Sequence, residues 1–109
     1  MRIIKIIIYA TESGSEPYSE WQDKLDTETR SIVLNRLKRV RVGNFGDAKR
    51  IVDGEGIWEL KINYGPGYRI YFGKKGTTIV LLLIGGDKKS QTRDIAKAKQ
   101  YWLDDKEST

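Results

Sequence analysis

Three consecutive apolar runs between Ile57 and Ile84 restrict this chain more than any other feature. From Ile57 to Ile62 the residues alternate, so that Trp58, Leu60 and Ile62 face one side of a strand and Glu59 and Lys61 the other. The next run repeats the pattern, with Tyr68, Ile70 and Phe72 on one face and Arg69 and Tyr71 on the opposite one. Asn63-Tyr64-Gly65-Pro66-Gly67 lies between them and predicts a tight antiparallel reversal, since glycine tolerates positive φ and proline fixes its own. A second hairpin is marked at Gly73-Lys74-Lys75-Gly76. Thr77 to Ile84 is then almost continuously apolar and β-branched, which predicts a central strand covered on both faces. Gly85-Gly86-Asp87-Lys88-Lys89-Ser90 is expected to break that strand, with Ser90 or Asp87 capping a helix that runs to about Leu103.

The polar face of this sheet collects Glu59, Lys61, Arg69 and Tyr71 on neighbouring strands. Strands sit about 4.8 Å apart, so one ligand can touch all four side chains. Ordinary surface charge on a solvated sheet face is the competing reading.

Composition narrows the chemistry. The 109 residues predict one domain with a single modest core. Cysteine is absent, which excludes a disulfide framework and thiolate metal sites, and histidine is absent too. Histidine-dependent triads and most zinc sites are thereby excluded, together with the commonest general base. The net charge of +5 is uneven. Residues 1–28 set Arg2, Lys5 and Lys24 against six carboxylates for a net −3, and the other 81 residues carry +8. Such a surface favours a polyanionic partner, although surplus lysine also occurs without one.

The opening Met1–Ala10 segment resembles a signal peptide in its basic start, but Lys5 interrupts the apolar run and Thr11-Glu12-Ser13-Gly14-Ser15-Glu16 offers no cleavage site. It is read as the first strand, and the absence of any segment of membrane-spanning length predicts a soluble, cytoplasmic protein. Ser15 or Ser13 is expected to cap a short helix with Glu16 and Pro17 in its first turn and Trp21 and Leu25 on its buried stripe. A second helix begins near Asp26 or Thr27 and runs to about Val42. Val33, Leu37 and Val40 point inward, and Arg30, Arg36, Lys38, Arg39 and Arg41 surround them as solvated exterior or as an outer surface for nucleic acid. The helical pair is expected to cover Trp58, Leu60, Ile62, Tyr68, Ile70 and Phe72. Gly43-Asn44-Phe45-Gly46 predicts a left-handed helix stop, and 48–52 an edge strand. The fold class is therefore α+β, an antiparallel sheet with an N-terminal helical hairpin on one face and a C-terminal helix. One domain spans 1–103 and 104–109 is expected to be a disordered tail.

Two segments carry a family resemblance: Glu59–Phe72, above all Gly67-Tyr68-Arg69-Ile70-Tyr71, and Gly85-Gly86-Asp87-Lys88-Lys89-Ser90-Gln91, with Gly43–Asp47 in support. Over nearly the whole chain the sequence resembles the addiction-module killer proteins of the RelE/HigB-like toxin superfamily. That resemblance implies a compact RelE/ParE-like fold and a toxin of a type II toxin–antitoxin module. It also implies ribosome-dependent mRNA endonuclease activity, in which a ribose 2′-hydroxyl attacks the adjacent phosphate. The nucleophile then belongs to the substrate, so no metal or other cofactor is expected. Such a reaction needs a base, an acid and cations for the phosphorane charge. Arg69 matches the family's phosphate clamp, and Lys61 matches a basic position that stabilises charge or acts as base. Lys88 and Lys89 stand where relatives place a basic residue for the leaving group or the scissile phosphate. Glu59 is an alternative base, or a partner that neutralises Lys61 or Arg69. Lys49, Tyr71, Lys89 and Arg93 are expected to bind RNA, with Tyr71 stacking on a base or packing at the sheet rim.

The chain departs from relatives that place a tyrosine or histidine near the position of Arg93, because arginine does not readily release a proton. Implied partners are mRNA, the ribosome and a helix-turn-helix, HigA-like antitoxin. Two alternatives remain open: a ParE-like inhibitor of DNA gyrase that binds through Tyr101, Trp102 and Leu103, and a non-toxic module that binds its antitoxin.

Overall fold

The first hairpin turns over 63–67 as its glycines and proline predict, whereas the second turns over 76–78, because the strand before it runs on through Gly73, Lys74 and Lys75, paired with Leu81, Val80 and Ile79. The computed structural model describes residues 3–108, so the Met1–Arg2 start of the expected first strand and Thr109 of the expected tail lie outside the described residues. The elements are β1 (Lys5–Ile8), α1 (Pro17–Asp23), α2 (Thr27–Arg41), β2 (Ala48–Arg50), β3 (Ile57–Ile62), β4 (Tyr68–Lys75), β5 (Ile79–Asp87) and α3 (Gln91–Glu107). They give an α+β domain whose one sheet has the order β1-β5-β4-β3-β2. The four strands from β2 to β5 are antiparallel, as expected, but β1 runs parallel to β5 and makes the sheet mixed. Parallel neighbours need a long crossover, and here α1, α2 and the strands β2 to β4 separate the two.

Alternation along β3 and β4 sorts the sheet into two covered faces. Leu60, Ile62, Ile70 and Phe72 pack with Val33, Leu37 and Val40 of α2 and Tyr18 of α1, while Trp58 and Tyr68 lie partly buried against them. Asp26 caps α2 by accepting from the Thr29 amide at 3.3 Å. No side-chain cap holds α1: Glu16, not Ser13 or Ser15, is its N-cap, and Pro17 opens the first turn. Below the sheet, α3 lays Ala98 and Trp102 against Ile57, Tyr71, Leu81 and Leu83. The second core explains the continuous apolar run of β5, whose successive side chains alternate between two buried surfaces.

Three departures from the sequence-based expectations have steric or electrostatic causes. First, β5 continues through Gly85 and Gly86 to Asp87 rather than stopping before them. A Cβ at Gly85 would collide with the Trp21 ring, and one at Gly86 with Asp94 and Ser90, so these glycines make room inside a strand. Second, 104–107 is helical, because Tyr9 donates its hydroxyl to Asp104, Tyr9 stacks on Tyr101 at 5.0 Å, and Lys75 pairs with Asp105 at 2.6 Å. Third, Arg36 is buried rather than part of the exposed basic ring of α2. Its Nη2 donates to the Phe45 carbonyl at 2.6 Å and ties down the loop that Gly43 turns with φ 90°.

Gly73 lies under the Trp102 ring in the same way that Gly85 lies under Trp21. Gly73→Ala is expected to cost about 1–3 kcal/mol by overpacking, and to be nearly neutral in a Trp102→Ala background. Urea unfolding of the two single variants and the double variant measures the coupling. Equal cost in both backgrounds would show that the indole does not set the limit.

Candidate active site

Backbone register draws the chemically interesting residues into two rows across the α3 face. Lys49 of β2 pairs with Glu59 of β3, which pairs with Tyr71 of β4 and through it with Ile84 of β5. Two residues further along, Lys61 pairs with Arg69, and Arg69 with Gly86. Asp87, one residue beyond Gly86, accepts from the backbone amides of Lys89 at 2.9 Å and Ser90 at 3.1 Å. This turn fixes the loop that carries Lys88 and Lys89 at the end of β5. Lys61, Arg69 and the Lys88–Lys89 loop therefore occupy the same end of the sheet, with about 10 Å between the β3 and β5 backbones.

The middle of each row is shielded from water. Glu59 is 2% exposed and Arg69 7%, because the first turn of α3 lies over them. Gln91 donates its amide to Glu59 Oε1 at 3.1 Å, and Arg69 Nε lies 3.3 Å from the same oxygen. Lys49, itself 70% exposed, reaches Glu59 Oε2 at 4.0 Å. Both carboxylate oxygens are thus engaged by donors or cations. Of the two expected roles, Glu59 takes the place of a neutralising partner, and its cations are Arg69 and Lys49 rather than Lys61. Arg69 also donates from Nη1 to the Gly67 carbonyl at 3.4 Å, and among the described residues no acceptor meets its Nη2. The guanidinium is held by the ion pair to Glu59 and one hydrogen bond to Gly67, its buried Nε–H makes no hydrogen bond, and one edge of its fork is uncommitted.

Tyr71 corrects the sequence reading. Its side chain is fully buried between the sheet and α3, so its ring offers no face for a base and does not sit at the rim. Burial first, and then the nearby Glu59 carboxylate, pushes the phenol above its ordinary value near 10, and its hydroxyl has no hydrogen-bond partner. Lys61 is half-buried and free of any carboxylate among the described residues. Lys88 and Lys89 are exposed. Arg93 is 71% exposed, with Nε 3.9 Å from Asp94 Oδ1. Asp94 is buried and accepts from the Ser90 hydroxyl, so Ser90 occupies the N-cap position of α3 while its side chain serves Asp94.

Sequence reasoning passed over Gln91, the residue that docks α3 onto the ion pair. It also passed over the burial of Arg36. The signal for Arg36 was present: it lies three residues after Val33 and four before Val40, on the stripe that α2 buries. No group of three or more His, Cys, Asp or Glu suited to a metal occurs among the described residues. None of their helices is long and apolar enough to cross a membrane.

Comparison with known proteins places this arrangement in a family. The family model described as Phage derived protein Gp49-like (DUF891) matches residues 20–102. The chain belongs to the Gp49-like family. An uncharacterized protein of Haemophilus influenzae is 43% identical over 83 residues, which cover 75% of this chain and 82% of that protein. Gp49-like proteins are toxin-like members of toxin–antitoxin modules, and the matched span runs from α1 to the last turns of α3, including both rows of the site.

Two outcomes follow from the buried groups. Glu59→Gln leaves Arg69 buried without its anion and is expected to cost about 3–5 kcal/mol in urea unfolding; unchanged stability would show that the pair is dispensable. Tyr71→Phe removes an unsatisfied hydroxyl and is expected to stabilise by about 1 kcal/mol. The phenols of Tyr9, Tyr18 and Tyr71 are all raised, with burial the largest cause in each. Below their ordinary value near 10 both folded and unfolded states hold these protons. Above it the unfolded chain loses them first, so stability falls as pH rises past about 10. Unfolding measured across that range tests the sign, and Tyr71→Phe should give a shallower fall than the parent.

Proposed function

We propose that this Gp49-like protein is the toxin of a type II toxin–antitoxin module and an endoribonuclease that cuts mRNA on the ribosome, in the manner of RelE and HigB. The observation that carries this reading is the pairing of Lys61 with Arg69 in one row, with the Lys88–Lys89 loop closing the far end. In the proposed reaction the ribose 2′-oxygen bonds to phosphorus and the bond from phosphorus to the 5′-oxygen breaks. A 2′,3′-cyclic phosphate and a free 5′-hydroxyl result. Arg69 grips the phosphate with the open edge of its fork and stabilises the phosphorane. Lys61 approaches from β3 as the neutral amine, takes the 2′-hydroxyl proton, and as the ammonium so formed neutralises the developing charge, while Lys88 gives a proton to the departing 5′-oxygen and Lys89 and Arg93 hold flanking phosphates.

Charge stabilisation carries most of this catalysis. The chain has no histidine, Glu59 is engaged on both oxygens, and Tyr71 is sealed in the core, which supports Lys61, as the neutral amine, in the role of base for the 2′-hydroxyl. A preorganised donor aimed at the transition state is worth about 10²–10³-fold in rate. The cognate partner in this reading is a helix-turn-helix antitoxin, and the site of action is the bacterial cytoplasm.

Gyrase inhibition through the end of α3 is less well supported. Trp102 is buried and donates its indole N–H to the Glu55 carbonyl at 3.1 Å, and Tyr101 stacks on Tyr9. Two of the three side chains that such an inhibitor would present are committed to the fold.

Controlled expression in a bacterial host, followed by 5′-end mapping of transcripts, tests the reading. The wild type is expected to produce new ends at codon-related positions, and Lys61→Ala to reduce them by about 10²-fold or more without loss of fold. Growth arrest without new ends would exclude ribonuclease activity. Undiminished cleavage by Lys61→Ala would remove the assigned residue from the site.

A further inference from the structure

A second cationic recess lies around the sheet edge from Arg69 and shares Lys61 with it. β2 ends its pairing with β3 at Leu60, and beyond it only the Lys61 amide bonds back, to the Asp47 carbonyl at 2.9 Å. The end of β3 and the middle of α2 then enclose a cleft of about 630 Å³, whose polar lining includes Asn35, Arg36, Arg39, Asp47, Lys61 and Asn63.

Arg36, Arg39 and Lys61 line this cleft together with one carboxylate residue, Asp47, and among the described residues none of these three cations forms an ion pair. Arg36 forms the floor at 6% exposure, and its Nη1 is buried with no hydrogen-bond partner. Its position is enforced: Gly46, at φ 60°, folds back so closely that a Cβ there would lie 2.7 Å from Nη2 and 3.2 Å from Nη1. Burial and the neighbouring Arg39 both work against the charge of Arg36, while Asp47 favours it. A buried guanidinium with an orphaned N–H costs about 1–3 kcal/mol unless an acceptor arrives. An anion in the cleft supplies that acceptor, and the low local dielectric strengthens the attraction. Asn35 and Asn63 also line the cleft. Exposed lysines scattered over a helix offer none of this construction.

We propose that this cleft is a phosphodiester-binding subsite for single-stranded RNA, which takes the backbone next to the nucleotides held at Arg69. The inference deepens the ribonuclease reading and rests on it. Lys61 links the two places: its backbone pairs with Arg69 on one side, and it lines the cleft on the other. RNA entering between α2 and β3 thereby meets Arg39 and Arg36 before it reaches the clamp, and recognition through phosphate alone predicts indifference to sequence at these nucleotides.

The test compares Arg39→Glu with Lys38→Glu, which makes the same charge change on the adjacent, exposed position of α2 outside the cleft. The probe is a short single-stranded RNA bearing 2′-O-methyl groups, which binds but supplies no nucleophile, followed by fluorescence anisotropy over a salt series. Arg39→Glu is expected to weaken binding at least about tenfold more than Lys38→Glu and to flatten the salt dependence by about 0.7 in log–log slope, the value of one phosphate contact on a single strand. Asn35→Ala, which leaves the loop anchor of Arg36 intact, should weaken binding about two- to threefold, in proportion to one lost neutral contact. Equal effects of the two charge reversals would overturn the subsite, as would a wild type that does not bind the probe at low salt. Equal loss of affinity for a polyglutamate peptide would overturn the nucleic-acid assignment in favour of an acidic protein partner. Failure of the ribonuclease reading is seen separately, as a wild type that arrests growth without new transcript ends.

Discussion

One buried ion pair governs the end of the sheet where the candidate chemistry lies. Placing Glu59 and Arg69 under a helix removes both from water, and their mutual attraction offsets that loss only when further hydrogen bonds complete the shell. Support comes from three separate parts of the chain: hydrogen bonds from Gln91 at the start of α3 and to the Gly67 carbonyl in the hairpin, and the charge of Lys49, 4.0 Å away on the edge strand. Holding the pair together therefore fixes the register of β3 on β4 and the point at which α3 begins. It also leaves Arg69 unable to wander. In the proposed reaction a guanidinium that is already oriented avoids reorganisation, which is how fixed charges outperform mobile ones.

The remainder of the architecture keeps the two faces of β5 filled without crowding. Three glycines stand where large side chains need the volume: Gly85 under Trp21, Gly86 under Asp94, and Gly73 under Trp102. Gly86 has a further effect, because it lies beside Arg69 in the row and leaves that position to the Asp94 and Ser90 pair. Cations not needed for these internal contacts, Lys61, Lys88 and Lys89, are left around the rim. Their free charge and the satisfied charge of Arg69 are complementary. One set is held for precision, and the other remains available to an anion.

Features that depend on neighbours in the chain were legible beforehand. The first hairpin followed from glycine and proline, the α2 stripe from the spacing of Val33, Leu37 and Val40, and the α2 start from Asp26. Alternation also identified Glu59, Lys61, Arg69 and Tyr71 as residents of one face. What alternation cannot report is whether a second layer covers that face. Tyr71 was misplaced for this reason, and Glu59 and Arg69 proved to be buried for the same one. The double glycine misled in the opposite sense: locally it signals a break, but here it answers a steric demand from Trp21 and Asp94, which are distant in sequence. The charged end of the chain likewise read as a loose tail, because its anchors, Tyr9 and Lys75, lie far upstream.

Composition alone removed thiolate and imidazole chemistry and concentrated positive charge in the last 81 residues, since those properties need no fold to express them. Periodicity alone determined which residues share a strand or a helix, because side-chain direction is set by backbone geometry within a few residues. Only the tertiary structure decided that α3 would seal Tyr71, that Gln91 would complete the shell of Glu59, and that Arg36 would lie at the floor of a cleft with an N–H unsatisfied. Burial and pairing are settled between segments far apart in the chain. Their energies depend on water excluded jointly by several elements, and no local pattern of residues records that exclusion.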